Sequence, residues 1–198
     1  MSPALTAQFY LASQSPRRRE LLSQLGLAFI VQAADIDESV LPGESAAECV
    51  LRLAQTKAQA VWNSAERSHS IPVLAADTIV VLDNNILGKP RDNADAHAML
   101  QRLSGRQHQV MTAVAVCSAG RQESLVQTSL VSFAKLSPLQ IENYVATGEP
   151  ADKAGAYGIQ GRAAAFVKDL QGSYSGVVGL PLYETCCLLQ QFGIDAPL

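Results

Sequence analysis

Ten residues, Val73-Leu74-Ala75-Ala76-Asp77-Thr78-Ile79-Val80-Val81-Leu82, carry the strongest strand signal in the chain, and one of them is a carboxylate. Pro72 precedes the run, and Asp83-Asn84-Asn85 turns it back into Ile86-Leu87. Aspartate is disfavoured in strands, and an unpaired buried carboxylate is expensive. Asp77 therefore either sits at a strand edge pointing into water, is paired with a base, or faces a cleft as a general base or metal ligand.

The segments around this strand follow the rules of helix and turn chemistry. A first strand over Phe9–Ala12 leads into Ser13-Gln14-Ser15-Pro16-Arg17-Arg18, with Ser15 as an N-cap and Pro16 as the first residue of a helix that stops at Gly26. Ala28–Val31 is a second strand, and the acidic loop Asp35–Ser39 follows it. Ser45 and Glu48 form a capping box that opens a long helix to about Ala65, with Val50, Leu53, Ala54, Ala58 and Val61 on its apolar face. A helix is predicted over Ala94–Leu103, a hairpin over Gln109–Ser118 and Ser124–Phe133, and a helix from Ser137-Pro138 through Tyr144 to Gly148. The glycine-rich loop Gly155–Gly161, a strand over Ala164–Lys168 and a last helix opened by Gly179-Leu180-Pro181 and running to Phe192 complete the order. Early alternation of strands and helices with a central hairpin gives an α/β class, a mixed twisted sheet flanked by helices. Asp92–Ser104 is the one stretch that stands as a division between two lobes.

Charge is placed where packing alone would not put it. Arg17, Arg18 and Arg19 crowd the first turn of a helix, where the backbone is already partly positive, at about 0.3–1 kcal/mol each. Arginines fanning into water are the plain explanation; an anion docked at the helix start, held by serine hydroxyls and guanidinium forks, is the functional one. Lys57 lies on or beside the buried stripe of the long helix, so its ammonium either snorkels to water or reaches a phosphate or Asp77. Lys89 precedes Pro90, which restricts the backbone before it. Glu38 and Gln160 are weak signals singly; the amide of Gln160 can read donor and acceptor edges of a ring. Together, two carboxylates, two lysines, two arginines and an amide suit polyphosphate hydrolysis, in which cations neutralise phosphoryl oxygens while carboxylates hold a divalent metal and deprotonate water. His69, His97 and His108 have no metal or triad spacing and are expected to be bystanders.

Bulk properties exclude other classes. With 198 residues, 48% hydrophobic, the chain has enough apolar surface for a real core. A formal charge of −3 and 6% aromatic residues argue against a nucleic-acid backbone as partner and against an RNA-binding module. Cys49, Cys117, Cys186 and Cys187 have no zinc or disulfide spacing and read as core-filling thiols in a reducing compartment. No signal peptide and no membrane span are legible. The expectation is a cytoplasmic protein without membrane partners.

The residues resemble the Maf-like nucleotide pyrophosphatases. The resemblance runs from Leu11 to about Phe192 and rests on Ser13–Arg18, Asp37-Glu38, Ala54-Gln55-Thr56-Lys57-Ala58, Ala76-Asp77-Thr78, Gly88-Lys89-Pro90, Gly155–Gly161 and Val178-Gly179-Leu180-Pro181. It implies a single domain over 1–198, with two lobes and a cleft, similar to the inosine-triphosphate pyrophosphatases. It also implies hydrolysis of a nucleoside triphosphate to the monophosphate and diphosphate with Mg²⁺ or Mn²⁺, and a homodimer. It assigns Asp77 as proton acceptor, Glu38, Lys57 and Lys89 to the metal and phosphates, and Ser13 and Arg18 to the phosphate loop. Arg17, Thr78 and Gln160 match the branch acting on dTTP and UTP. The sister branch, acting on 7-methyl-GTP, has Trp, Gln and an acidic residue at those positions. Ala75-Ala76 departs from the pattern, since many relatives have Gly before the aspartate. A different class of reading is a nucleotide-binding regulator of cell division with little turnover, which would need the cations but neither Asp77 nor Glu38.

Overall fold

The structure is a computed structural model that describes residues 6–64, 66–67 and 70–197. His69 and Ala65, the expected end of the long helix, lie outside the described residues. The elements are β1 (Phe9–Leu11), α1 (Pro16–Gln24), β2 (Phe29–Val31), α2 (Ala46–Trp62), β3 (Val73–Leu82), β4 (Asn85–Leu87), α3 (Asn93–Leu103), β5 (Gln107–Ser118), β6 (Arg121–Phe133), α4 (Pro138–Val145), β7 (Val167–Gln171), α5 (Tyr174–Val178) and α6 (Leu182–Gln190). The seven strands form one mixed sheet in the order β2-β1-β3-β5-β6-β7, with β4 paired to β3 off that path. β1 runs parallel to β2 and β3, whereas β3–β4 and β6–β7 are antiparallel.

Two compact units share the chain: Met1–Asp77, Thr112–Gln127 and Gly179–Leu198 form the first, Thr78–Met111 and Thr128–Val178 the second. The divisions fall inside β3, β5 and β6 and between α5 and α6, so the expectation that Asp92–Ser104 separates lobes fails; α3 lies wholly within the second unit. Three Leu side chains of that helix's face and neighbours, Leu100, Leu103 and Leu136, are core residues, which is why the segment packs and does not link.

In the first unit the local chemistry is as read. Ser15 caps α1 with Pro16 at its start, and Ser45 and Glu48 complete the capping box of α2. Gln55 donates to Ser124 Oγ at 2.8 Å, and Cys117 Sγ donates to Gln59 Oε1 at 3.5 Å, so α2 is tied to β5 and β6. Cys49 and Cys117 are buried as expected, but on α6 Cys186 is only partly buried and Cys187 is exposed.

In the second unit β3 returns into β4 through Asp83 and Asn84, both at positive φ (52° and 62°), the geometry of a tight two-residue hairpin loop. The core gathers Leu100, Leu103, Phe133, Tyr144, Tyr157 and Phe166. Two segments differ from the sequence reading. Residues Arg162–Phe166 form a 3₁₀ turn, and β7 begins only at Val167. The three alanines of that turn have little strand preference, and Glu149 captures the Arg162 amide at its start. The short helix α5 was not anticipated; at 5 residues with two β-branched members it carries no periodicity to read.

His108 is 3% exposed and sits edge-on to Phe133 and Tyr157, with Nε2 2.8 Å from the Tyr157 hydroxyl. Its Nδ1 is buried with no hydrogen-bond partner. Burial lowers its pKa from 6.5 to about 4. Below the unfolded value the unfolded chain takes up a proton that the folded chain refuses, so stability falls as pH drops from about 6.5 towards 4, by on the order of 3 kcal/mol in all. Urea unfolding at pH 7 and pH 4.5 should show this loss, and His108→Gln should remove that share of it.

Candidate functional site

The site grows from the helix α2 and the strand β3. Lys57 lies on the buried face of α2 among Leu53, Ala54, Ala58 and Val61, and is itself only 8% exposed. Its Nζ lies 2.6 Å from Asp77 Oδ1 and 2.6 Å from Glu38 Oε1. Of the alternatives left open by the sequence, Lys57 reaches Asp77 and Asp77 is paired, 7% exposed, not turned to water at a strand edge. A desolvated ammonium and carboxylate tolerate burial only when each satisfies the other. The register explains the position of Asp77. β1 pairs with β3 through Tyr10–Val73 and Leu11–Leu74, then gives way to Ser13 and α1. Asp77 lies just beyond that point, at the carboxyl end of its parallel neighbour, where open α/β sheets place ligands.

Glu38 comes from the acidic loop, and that loop is fastened to α2 by Arg52. The Arg52 guanidinium donates to both Glu44 carboxylate oxygens at 2.6 and 2.8 Å and to the Ser39 carbonyl at 2.9 Å. These hydrogen bonds hold the Glu44 carboxyl down to about 2. Asp37 accepts from the Ser39 amide and hydroxyl, closing a local turn next to Glu38. Sequence reading missed Arg52; nothing distinguishes it from an ordinary helix-surface arginine until the loop folds back.

The arginine-rich helix start resolves its own conflict in part. Arg18 turns back, donating from Nε to the Gly179 carbonyl at 2.8 Å and from Nη1 to Ser13 Oγ at 3.2 Å. Burial draws the Arg18 pKa down, Asp77 opposes that, Arg17 adds to it and Glu38 opposes it again; a guanidinium stays charged through such shifts. Ser13 Oγ also accepts from the Ser15 amide at 3.2 Å. Both acceptor positions of that hydroxyl are thus used, and its own O–H is what it can offer to an anion. The Ser15 amide donates to the Ser13 hydroxyl, and the Arg18 amide donates to the Ser15 hydroxyl, which is the cap read from the sequence. Arg17 is half-buried and Arg19 exposed. Gly179 enters through its backbone; the Gly179-Leu180-Pro181 motif was its only trace in the sequence.

Ser13, Arg17, Arg18, Glu38, Lys57 and Asp77 all belong to the first unit. Thr78 follows Asp77 in β3 and opens the second unit, which also carries Lys89 and Gln160, both exposed. Within that unit the Gly155 amide donates to the Gly88 carbonyl at 3.0 Å, joining the glycine-rich segment to the Gly88-Lys89-Pro90 segment. Among the described residues, no group of three or more His, Cys, Asp or Glu is placed to hold a metal, and no helix is long and apolar enough to cross a membrane.

In this mixed α/β fold a buried lysine bridges two carboxylates, and Arg18 at the arginine-rich helix start is near enough for both to act on its charge. The chain belongs to the Maf family, described as Maf-like protein, whose pattern matches residues 8–192. The dTTP/UTP pyrophosphatase of Pasteurella multocida (strain Pm70) is 50% identical over 194 residues, covering 95% of this chain and 97% of that protein. The dTTP/UTP pyrophosphatases of Chromobacterium violaceum and Hahella chejuensis are each 54% identical, covering 96% and 93% of this chain and 97% and 92% of theirs. Among solved structures, the Staphylococcus aureus Ham1 protein is 14% identical with a TM-score of 0.44, covering 64% of this chain and 71% of that one; a likeness of that size decides nothing about function.

Lys57→Met should take the buried Asp77 carboxylate's ammonium away and cost roughly 3–5 kcal/mol in urea unfolding. Adding Asp77→Asn should restore part of that loss. Two losses that simply add would show that the pair is not coupled.

Proposed function

We propose that the protein is a nucleoside triphosphate pyrophosphatase that converts dTTP and UTP to the monophosphate and diphosphate. The observation that carries this reading is the convergence of Lys57 on Asp77 and Glu38 in the same unit as the Ser13–Arg18 turn. The names of the near-full-length relatives support the substrate class.

In this reading the triphosphate lies along the start of α1. The Ser13 hydroxyl donates to a phosphate oxygen, and Arg17, Arg18, Lys57 and Lys89 offset the charge on the others. Asp77 accepts a proton from a water whose oxygen attacks the α-phosphorus. The bond from that phosphorus to the α–β bridging oxygen breaks, and diphosphate leaves. Glu38 and Asp77 also suit Mg²⁺ or Mn²⁺, hard cations that take one or two carboxylates and complete their shell with phosphate and water; two carboxylate oxygens already meet at one ammonium here. When bound, such a metal supplies charge neutralisation for the phosphoryl oxygens. The Gln160 amide reads the pyrimidine, both donating and accepting against a ring carbonyl and N3–H, and Arg17 and Thr78 match the same branch of the family. The same three residues speak against 7-methyl-GTP. A homodimer in the cytoplasm accompanies this reading and rests on the resemblance and composition alone.

The test is a panel of nucleoside triphosphates, methylated bases included, assayed for diphosphate with and without Mg²⁺. Asp77→Asn, which takes one carboxylate from the buried Lys57 ammonium and so costs stability, should lower the turnover of the folded protein by a factor of about 10²–10⁴, the range of a general base. Undiminished turnover would remove Asp77 from the role. Diphosphate release that is absent in the unaltered protein would favour a nucleotide-binding regulator. Gln160→Glu should weaken pyrimidine use relative to guanine nucleotides.

A further inference from the structure

Gln160 is exposed, but the backbone that carries it is held on both sides by one pair of side chains in the second unit. The Gly158 amide donates to the Tyr144 hydroxyl oxygen at 3.3 Å. The Arg162 amide donates to Glu149 Oε2 at 3.1 Å. The Tyr144 O–H closes the link by donating to Glu149 Oε1 at 3.0 Å. The two captured amides thus flank Gln160 symmetrically, one on each side of it.

The pair is itself fixed. Tyr144 is 3% exposed and packs edge-on against Phe166 at 5.2 Å between ring centroids. Burial pushes its phenol pKa up, so the hydroxyl keeps the proton it donates. The Glu149 amide donates to Thr147 Oγ1 at 3.1 Å, and Lys153 Nζ donates to the Glu149 carbonyl at 2.7 Å.

Gly161 is an independent mark of the same contact. Its φ is −98°, a value that any residue adopts. A Cβ there would nonetheless overlap the Glu149 carboxylate. This glycine serves the close approach of Glu149, not a left-handed turn.

We infer that Tyr144 and Glu149 are positioning residues for nucleobase selection, fixing the backbone on either side of Gln160 so that its amide meets a pyrimidine edge in one orientation. The inference rests on the proposed pyrophosphatase activity with Gln160 as its base reader. The physical reason is that a hydrogen-bonding reader discriminates only when its donor and acceptor are held in place by a rigid surround. A Gln on a loose segment would rotate to satisfy other rings.

The experiment compares kcat and KM for UTP and GTP in the unaltered protein, Tyr144→Phe, Glu149→Gln, Gly161→Ala, Glu149→Ala and the Glu149→Ala/Gly161→Ala double variant. Tyr144→Phe should raise KM for UTP roughly five- to thirty-fold, the range expected for one or two lost hydrogen bonds, with kcat within about twofold. The UTP/GTP ratio of kcat/KM should fall by a similar factor. Glu149→Gln, which keeps an accepting oxygen, should retain more of the preference than Glu149→Ala. Gly161→Ala alone should behave like Glu149→Ala. Adding it to Glu149→Ala should cost less than about twofold, because the carboxylate it would strike is gone. If Tyr144→Phe does not fold, the Gly161 cycle decides by itself. An unaltered protein that prefers pyrimidines, with variants whose UTP/GTP ratio stays put or a Gly161 cycle that is fully additive, overturns the positioning role and leaves the pyrophosphatase reading standing. An unaltered protein with no pyrimidine preference overturns the base reader and this inference with it.

Discussion

A single buried ammonium organises the first unit. Lys57 sits on the apolar face of α2, and moving its charge out of water is tolerable only because Asp77 and Glu38 both stand 2.6 Å away. That requirement reaches far along the chain. α2 must lie against β3 in one register, β1 must stop short of Asp77, and the acidic loop must fold back over the helix. Arg52 secures the last of these by gripping Glu44 and the Ser39 carbonyl. The arginine turn of α1 obeys the same logic on a smaller scale, since Arg18 finds the Gly179 carbonyl and Ser13 instead of facing a positive helix end alone.

The second unit is built on different physics. Its core is aromatic and neutral, with His108, Phe133, Tyr144, Tyr157 and Phe166 meeting edge to face. Burial of His108 and of the two phenols favours their uncharged forms. Such a core lies under the short 3₁₀ turns from Glu149 to Phe166, which also draw support from the Glu149 side chain. The two units thus rest on residues of different character.

Much of this was legible residue by residue. Ser15 with Pro16, Ser45 with Glu48 and Ser137 with Pro138 announce helix starts through a hydroxyl that satisfies an orphan amide, a local event that needs no tertiary partner. β3 was readable across its full span because ten residues of one pattern flanked by a proline and a turn leave little choice. Asp77 and Lys57 stood out because each violates the polarity of its surroundings, and a violation at helical or strand spacing implies a partner. β7 and α5 were misread or missed because Ala-rich and five-residue segments carry no period, so their conformation is set by neighbours such as Glu149. Arg52, Gly179, Tyr144 and Glu149 were silent for a related reason: an arginine on a helix, a backbone carbonyl, a core tyrosine and a surface-type glutamate look ordinary until distant segments meet them.

By itself the sequence determined most of the element order, the capped helix starts and the α/β class, and it marked Asp77 and Lys57 as charges out of keeping with their surroundings. Those are properties of spacing and local hydrogen bonding, and they act over a few residues. Tertiary structure decided which charge meets which, where the chain divides into units, and which backbone segments are held still. These depend on approach between residues tens of positions apart, where a one-residue shift in the register of β3 would send Asp77 to the opposite face of the sheet and take it from the Lys57 ammonium.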